Sequence, residues 1–382
     1  MNTNPNDCLN QFHQWHQHRH DYAKAWKEKT GGKVVGTFCT YAPEEMIYAA
    51  GMLPVRILGS HETEQATSQH ILSMYCFFCR DCLAQGLKGR YDYLDGLVIS
   101  QSCMHMRQAF HSWRMHLPLE FSYYLNMPHH VQSLRAKPYL AGELKEFQDA
   151  LEKWSGRPIT TDDLKRGIDI CNENRQLMRQ LYELRKAEHP PVTGLEAMEI
   201  VVSSQTVGKT DHSRMLEACI AQLRHREPKR NPGVRLMIVG SESDDTPLVN
   251  MIESSGATIV TDDHCTGSRY FWNEVEKNDQ NPLQAIADRY VDRVPCPSKD
   301  WPQSTRFDHI LKLAKDYQVQ GVLLLQQKFC DPHESDNPLL IRFLNDHGLP
   351  TLFLELSGVV PIGQFKLRVE AFMEMLGEED LF

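Results

Sequence analysis

The sequence predicts an α/β protein with two doubly wound parallel-sheet domains flanking a cleft and a helical insert between them. Two observations carry this expectation. Short apolar strands alternate with helical stretches of about 10–15 residues over roughly 30–141, and again over 230–382, the pattern of βαβ units around a parallel sheet. Between 142 and 229 that alternation gives way to long helical stretches such as "DDLKRGIDICNENRQLMRQLYELRKAE". A chain of 382 residues is long enough for two or three domains.

Each element has a local reason. Residues 8–30 read as one polar, His-rich helix that "TGGK" stops, making 1–29 an N-terminal helical segment. "VVGTFC" (34–39) reads as a strand and "APEEMIYAAG" (42–51) as a helix. There Pro43 suits the first turn, Glu44 and Glu45 suit the positive end of the helix dipole, and Gly51 ends the helix. "LPVRIL" is the next strand, and "MYCFFCRDCL" (74–83) opens a helix running to about Leu87. "YLDGLVIS" (93–100) is a buried strand, "HMRQAFHSWRM" a helix and "LEFSYYL" another strand. After the helical region, "NPGVRLMIVGSESDD" restarts the alternation. It gives a strand at 234–240, a helix at 246–254, the strand "TIVTDD", a helix at about 303–317 and the strand "GVLLLQQ". A helix at 338–347, the strand "TLFLEL" and a terminal helix complete it. The two α/β halves echo each other.

Composition narrows the function classes. Hydrophobic residues at 41% and charged residues at 24% give an ordinary globular balance. A net charge of −9 argues against a nucleic-acid binder, whose footprint is a basic face. The start of the chain lacks a basic stretch followed by an apolar core, and no run approaches a membrane span of about 20 apolar residues. The expectation is a cytoplasmic protein with reduced thiols. In that setting eleven cysteines read as metal ligands and buried apolar residues rather than a disulfide framework.

The cysteine positions are informative because ligands of open α/β sheets gather at the carboxyl ends of the strands. Cys39 ends the first strand, Cys103 follows "LVISQS" and Cys330 follows "VLLLQQKF". Cys76, Cys79 and Cys82 open the helix before the Cys103 strand, whereas Cys171 and Cys219 fall within helices as core cysteines would. Three-residue steps on a helix precess by about −60°, so two of that trio face one site comfortably and the third is at its margin. The fourth position of the bacterial ferredoxin run is Gly86 here, so remaining cluster ligands would come from Cys103 and Cys330. An iron–sulfur cluster, a structural zinc on Cys76, Cys79, Cys103 and His105, and ordinary buried thiols all remain open on spacing alone.

Other motifs are weaker. "VSSQTVGKT" ends like a phosphate loop, but Ser203 replaces its first glycine and it lies in the helical region rather than after a strand. His13, His16, His18 and His20 read as a solvated helix face, though an i, i+4 pair could chelate zinc. Glu44 and Glu45 are first-turn dipole partners. Glu45 is also a catalytic candidate, because its helix starts beside Cys39. Asp262, His264 and Arg269 in "TDDHCTGSR" either face the cleft or form an ordinary turn.

"APEEMIYAAGMLPVRI", "CFFCRDCL", "DGLVISQSCMHMR", "IESSGATIVTDDHCTGSRYF" and "VQGVLLLQQKFCDPHE" together resemble, in order, motifs of the 2-hydroxyacyl-CoA dehydratase/benzoyl-CoA reductase family. The resemblance covers nearly the whole chain, and within the family it is greatest to the smaller catalytic subunit of ATP-dependent benzoyl-CoA reductase. It implies a [4Fe-4S] cluster on Cys76, Cys103 and Cys330, with one iron left for a non-protein ligand. The additional Cys39, Cys79 and Cys82 leave room for a double-cubane cluster or a ligand register shifted to Cys79. It also implies a homologous larger catalytic subunit, ATP-hydrolysing iron–sulfur activator subunits, ferredoxin as electron source and benzoyl-CoA as substrate. Dearomatising a ring by single electrons needs a strongly reducing donor, and iron–sulfur potentials reach about −700 mV. The expected reaction is reduction of benzoyl-CoA to a cyclohexadiene-carboxyl-CoA. A 2-hydroxyacyl-CoA dehydratase subunit or a non-catalytic electron relay are the alternatives.

Overall fold

The computed structural model describes residues 5–61, 65–228, 231–358 and 360–379. Two helices, α1 (Pro5–Gln17) and α2 (Asp21–Thr30), lead into the first sheet. That sheet and its helices run β1 (Val34–Phe38), α3 (Glu44–Ala49), β2 (Leu53–Arg56), α4 (Phe77–Leu87), β3 (Gly96–Ser100), α5 (Met104–His116) and β4 (Phe121–Leu125). Four helices follow: α6 (Ala136–Ser155), α7 (Thr161–Leu184), α8 (Gly194–Ser203) and α9 (Lys209–Leu223). The second sheet and its helices begin with β5 (Val234–Gly240), α10 (Thr246–Ser254), β6 (Ala257–Asp263), α11 (Ser268–Phe271), α12 (Pro282–Asp292) and α13 (Thr305–Asp316). They end with β7 (Gly321–Gln327), α14 (Asp331–Asp346), β8 (Thr351–Leu356) and α15 (Ile362–Glu379).

The expected fold class is the observed one. The two four-stranded sheets are parallel throughout, in the orders β2-β1-β3-β4 and β6-β5-β7-β8. In each, the chain moves outward on one side and then crosses back past its starting strand. That creates a switch point between β1 and β3, and another between β5 and β7.

Alternation along the strands assigns their two faces. Val34 and Phe38 of β1, with Leu97 and Ile99 of β3, share one apolar core with Leu236 and Ile238 of β5. Both sheets therefore contribute to a common interior with α4, α5, α10 and α15. The opposite faces build separate cores. Val35 and Val98 pack with α3, α6, α12 and the start of α7, while Met237 and Val239 pack with α1, α8, α9 and the end of α7. Helix α7 thus places Leu164 and Ile168 in one core and Met178 and Leu181 in the other. Its start is fixed by a capping box in which Thr160 and Asp163 bond reciprocally.

Several local expectations need correction. The helix expected over 8–30 is two helices, because the chain turns at residues 18–20 so that Arg19 reaches inward to Gly59 O and Asp244. Pro43 caps α3 instead of occupying its first turn. Helix α14 begins at Asp331, not 338, since Pro332 is its first-turn proline and Pro338 lies inside it. Helices α11 and α12 fall in a stretch where the sequence pattern predicts no helix. Cys8 and Cys219 form a disulfide joining α1 to α9, so Cys219 is not a free core thiol. Both lie in the same packed core, which brings the two helices together.

Candidate functional site

The two switch points face one cleft of about 770 Å³, including its open mouth. Cys39 leaves the end of β1 and Cys103 follows β3, while Glu242 follows β5 and Cys330 follows β7. Cys76 and Cys79 from the start of α4 also line the cleft, as do Cys265 and Cys296. Cys39 and Phe329, the neighbour of Cys330, both hold left-handed backbone conformations, with φ of 69° and 65°. Non-glycine residues adopt that region only when their surroundings enforce it, and such residues cluster at functional sites.

Cys76, Cys103 and Cys330 each occupy the N-cap position of a helix: α4, α5 and α14 respectively. None uses its side chain to cap its helix, although an N-cap side chain ordinarily bonds a free backbone N–H there. Three positive helix ends therefore converge with three thiols, an arrangement suited to an anionic group.

The thiols differ electrostatically. The neighbouring Cys330 thiol lowers the Cys76 pKa to about 5 against the effect of burial. The same interaction, with burial, pushes Cys330 well up. Burial raises Cys103 to about 12 and Cys265 to about 11. Cys79 donates its S–H to Cys76 O at 3.0 Å, and burial raises its pKa well above the usual thiol value. Cys82 is not brought to the cleft: it points into the core toward Ile57 O at 3.7 Å.

Three buried arginines, Arg56, Arg269 and Arg293, complete the lining. Arg56 donates to Gln205 Oε1 at 2.7 Å and Cys265 O at 2.6 Å. Arg293 bonds Thr40 O and Arg269 O, tying the two halves together. Among the described residues, several lining polar atoms are buried without hydrogen-bond partners: both His333 ring nitrogens, Glu242 Oε1, Gln327 Oε1, Arg269 Nη1 and Arg293 Nε. Buried polar groups normally have partners, so this lining fits a polar, charged occupant.

Among the described residues no three His, Cys, Asp or Glu side chains are gathered tightly enough to enclose one metal ion. The zinc set considered from spacing is not assembled. His105 accepts from the Cys76 N–H at 2.9 Å through Nδ1, and its Nε2 pairs with Asp331 at 3.0 Å. Thiols spread around a cleft instead fit a cluster several atoms across.

The remaining candidates have structural partners. Glu45 does not line the cleft; Arg175 donates to its Oε1 at 2.5 Å and Tyr290 to its Oε2 at 2.9 Å. Lys209 of the phosphate-loop-like stretch is buried against Glu44 at 3.2 Å and donates to Ser204 O and Tyr270. Of Asp262, His264 and Arg269, only Arg269 lines the cleft; Asp262 accepts from Tyr182, and His264 bonds Thr266. The histidines of α1 diverge: His13 bonds Glu199, while His16 is buried and held down to about 4 by burial and Arg19.

The family model for "2-hydroxyglutaryl-CoA dehydratase, D-component" matches residues 39–376. The chain belongs to this family. Among its curated members, the chain is 28% identical to one of the benzoyl-CoA reductase subunits of Thauera aromatica, over 86% of each chain. It is 26% identical to the (R)-phenyllactyl-CoA dehydratase beta subunit of Clostridium sporogenes, over 98% of this chain and all of that one. It is 25% identical to the (R)-2-hydroxyglutaryl-CoA dehydratase beta subunit of Acidaminococcus fermentans, over 91% of this chain and 93% of that one. These relatives are named as subunits of CoA-thioester dehydratases and a reductase, and the chain, as a member of their family, is an enzyme subunit. Among the described residues no helix is long and apolar enough to cross a membrane.

Cys265, Cys296, Glu242 and Arg293 were not singled out from the sequence. Cys265 lies two residues beyond β6, so the strand-end rule that selected Cys39 and Cys103 also applies to it. Cys296 follows α12, and no strand end marks it; its N–H bonds the Tyr41 hydroxyl from the other half of the chain.

Proposed function

We propose that the chain holds an iron–sulfur cluster on Cys76, Cys103 and Cys330 and works as a subunit of an ATP-dependent benzoyl-CoA reductase. The observation that supports this most is the meeting of those three cysteines, each at a helix N-cap, in one cleft between the two sheets. Bound there, a cluster supplies single electrons at low potential. The chain's own contribution is to offset its negative charge with three helix ends and three guanidiniums. Cys39, Cys265 and Cys296 on the same cleft support the larger, double-cubane form as an alternative.

A second reading, a 2-hydroxyacyl-CoA dehydratase subunit, is supported by the end-to-end match to the phenyllactyl-CoA dehydratase subunit. Electron counting separates them. A reductase consumes electrons in proportion to aromatic thioester converted; a dehydratase needs only catalytic electrons with a hydroxyacyl thioester. A third reading, a non-catalytic relay, predicts that the thioester binds only on the partner subunit. Under the first two readings the working complex contains a homologous larger subunit, ATP-hydrolysing activator subunits and a ferredoxin-type donor. The isolated chain should hydrolyse no ATP, since its nearest phosphate-loop match has its lysine buried in an ion pair. Measurable ATP hydrolysis by that chain would contradict this partner assignment. Iron and sulfide analysis with EPR on anaerobically purified protein tests the cluster directly.

A further inference from the structure

The loops after β1 and β5 occupy matching positions, each beside its sheet's switch point. The first carries Cys39, whereas the second carries an acid, Glu242. Glu242 is 4% exposed and lines the cleft. Among the described residues its Oε1 is buried without a partner, and its Oε2 meets only Gln327 Nε2, at 3.4 Å. The facing cations make their hydrogen bonds elsewhere: Arg56 to Gln205 Oε1 and Cys265 O, with its Nε unpartnered among the described residues, and His61 and Arg19 to Asp244 at 2.7 and 3.0 Å. Asp244 makes the contrast plain. Its two oxygens accept from His61 and Arg19, which keep it ionised despite burial.

A buried carboxylate without a paired cation is strongly disfavoured, and it takes up a proton instead. We propose that Glu242 is the proton donor of the cleft, a neutral carboxylic acid whose O–H is available to an acyl thioester bound there. This rests on the reading that the cleft acts on CoA thioesters. One electron from a low-potential donor protein enters the thioester and leaves it negatively charged. The Glu242 O–H bond then breaks. Its proton goes to the reduced substrate and the bonding pair stays on the carboxylate, giving a neutral substrate radical and ionised Glu242. Water entering by the cleft mouth restores the proton. The charged and titratable groups acting on Glu242 include Asp244 on its own loop, His61 beyond β2, Arg56 at the end of β2, Arg19 between α1 and α2, and the thiols of Cys76, Cys82 and Cys265. Burial and Asp244 favour the acid form, and His61 and Arg56 oppose it without cancelling that preference.

The test compares Glu242→Gln and Glu242→Asp in the cluster-loaded complex. Expected for Glu242→Gln are unchanged iron, sulfide and thioester affinity, with turnover lower by about 100-fold or more and KM unaltered; Glu242→Asp keeps part of the rate. A second readout needs no turnover. Infrared spectra of the full chain at pH 7 should contain a protonated carboxylic acid carbonyl band that Glu242→Gln removes. Turnover within twofold of wild type in Glu242→Gln, loss of iron together with activity, or absence of the band would overturn the proposal. If the wild-type complex converts no acyl-CoA thioester, the functional reading fails and the proton-donor proposal falls with it. A retained band would then locate the failure in the reaction class rather than in the acid.

Discussion

Glu45 lies between Arg175 and Tyr290 with both carboxylate oxygens taken, and that pairing decides its protonation. Burial works to raise its pKa, but Arg175 and Arg289 overcome it and hold the group at about 2. A carboxylate depressed from the unfolded value of about 4.3 contributes stability that is fully present above that value. The contribution is lost as pH falls through the folded value, here between about pH 5 and about pH 2. A shift of this size corresponds to roughly 3 kcal/mol. Glu45→Gln should therefore lower stability by about 3 kcal/mol at pH 7, and denaturant melts should show a flatter decline across that acid window. Iron content should not change, because the side chain does not line the cleft. The sequence placed Glu45 at a helix start but not in this network, since Arg175 and Tyr290 lie 130 and 245 residues away. Cys39, Cys103 and Cys330 were legible for the opposite reason: strand ends are readable locally, and open α/β sheets collect their loops there.

Helix starts set the roles of the cysteines. Cys76 is the N-cap of α4 and lines the cleft with Cys330, whereas Cys79, one turn in, spends its S–H on the Cys76 carbonyl. For the proposed cluster, this placement favours Cys76 over Cys79. Alanine at Cys76, Cys103 or Cys330 should each lower iron content and abolish turnover, and Cys79→Ala should retain most of the iron. Cys171→Ala, buried in α7, should keep iron and activity and cost about 1 kcal/mol in packing. Iron loss in Cys79→Ala with Cys76→Ala unaffected would move the ligand by one turn. Helix starts are also where the sequence alone is ambiguous. Pro332 and Pro338 are both credible first-turn prolines; Cys330 and Pro332 start α14, and Pro338 is carried inside it. The start of α12 was legible in hindsight, with Asn281 capping Gln284 N and Pro282 following it.

Across the whole molecule, the cleft is held from both sides by buried contacts that do not depend on any bound group. Arg293 from the second half donates to Thr40 O and Tyr290 to Ala42 O, while Arg56 from the first donates to Cys265 O. Arg19 and His61 converge on Asp244, and one apolar core contains strands of both sheets. Alternating strands and helices announced the two sheets, because that periodicity is local. That α7 would feed both remaining cores was not legible, since its apolar stripe reads alike whichever partner it meets. Small metal domains unfold without their metal because they lack such a core; the described residues of this chain form three. Removing iron with a chelator under anaerobic conditions should therefore leave the far-ultraviolet circular dichroism unchanged. It should lower the melting temperature by the bound group's own contribution while keeping a cooperative transition. The lost stability should concentrate at the cleft, where three helix N-termini and the arginines would face one another without their counter-charge, and hydrogen exchange should quicken first at the starts of α4, α5 and α14. Global unfolding on chelation would mean that the cluster, rather than the shared core, holds the two halves together.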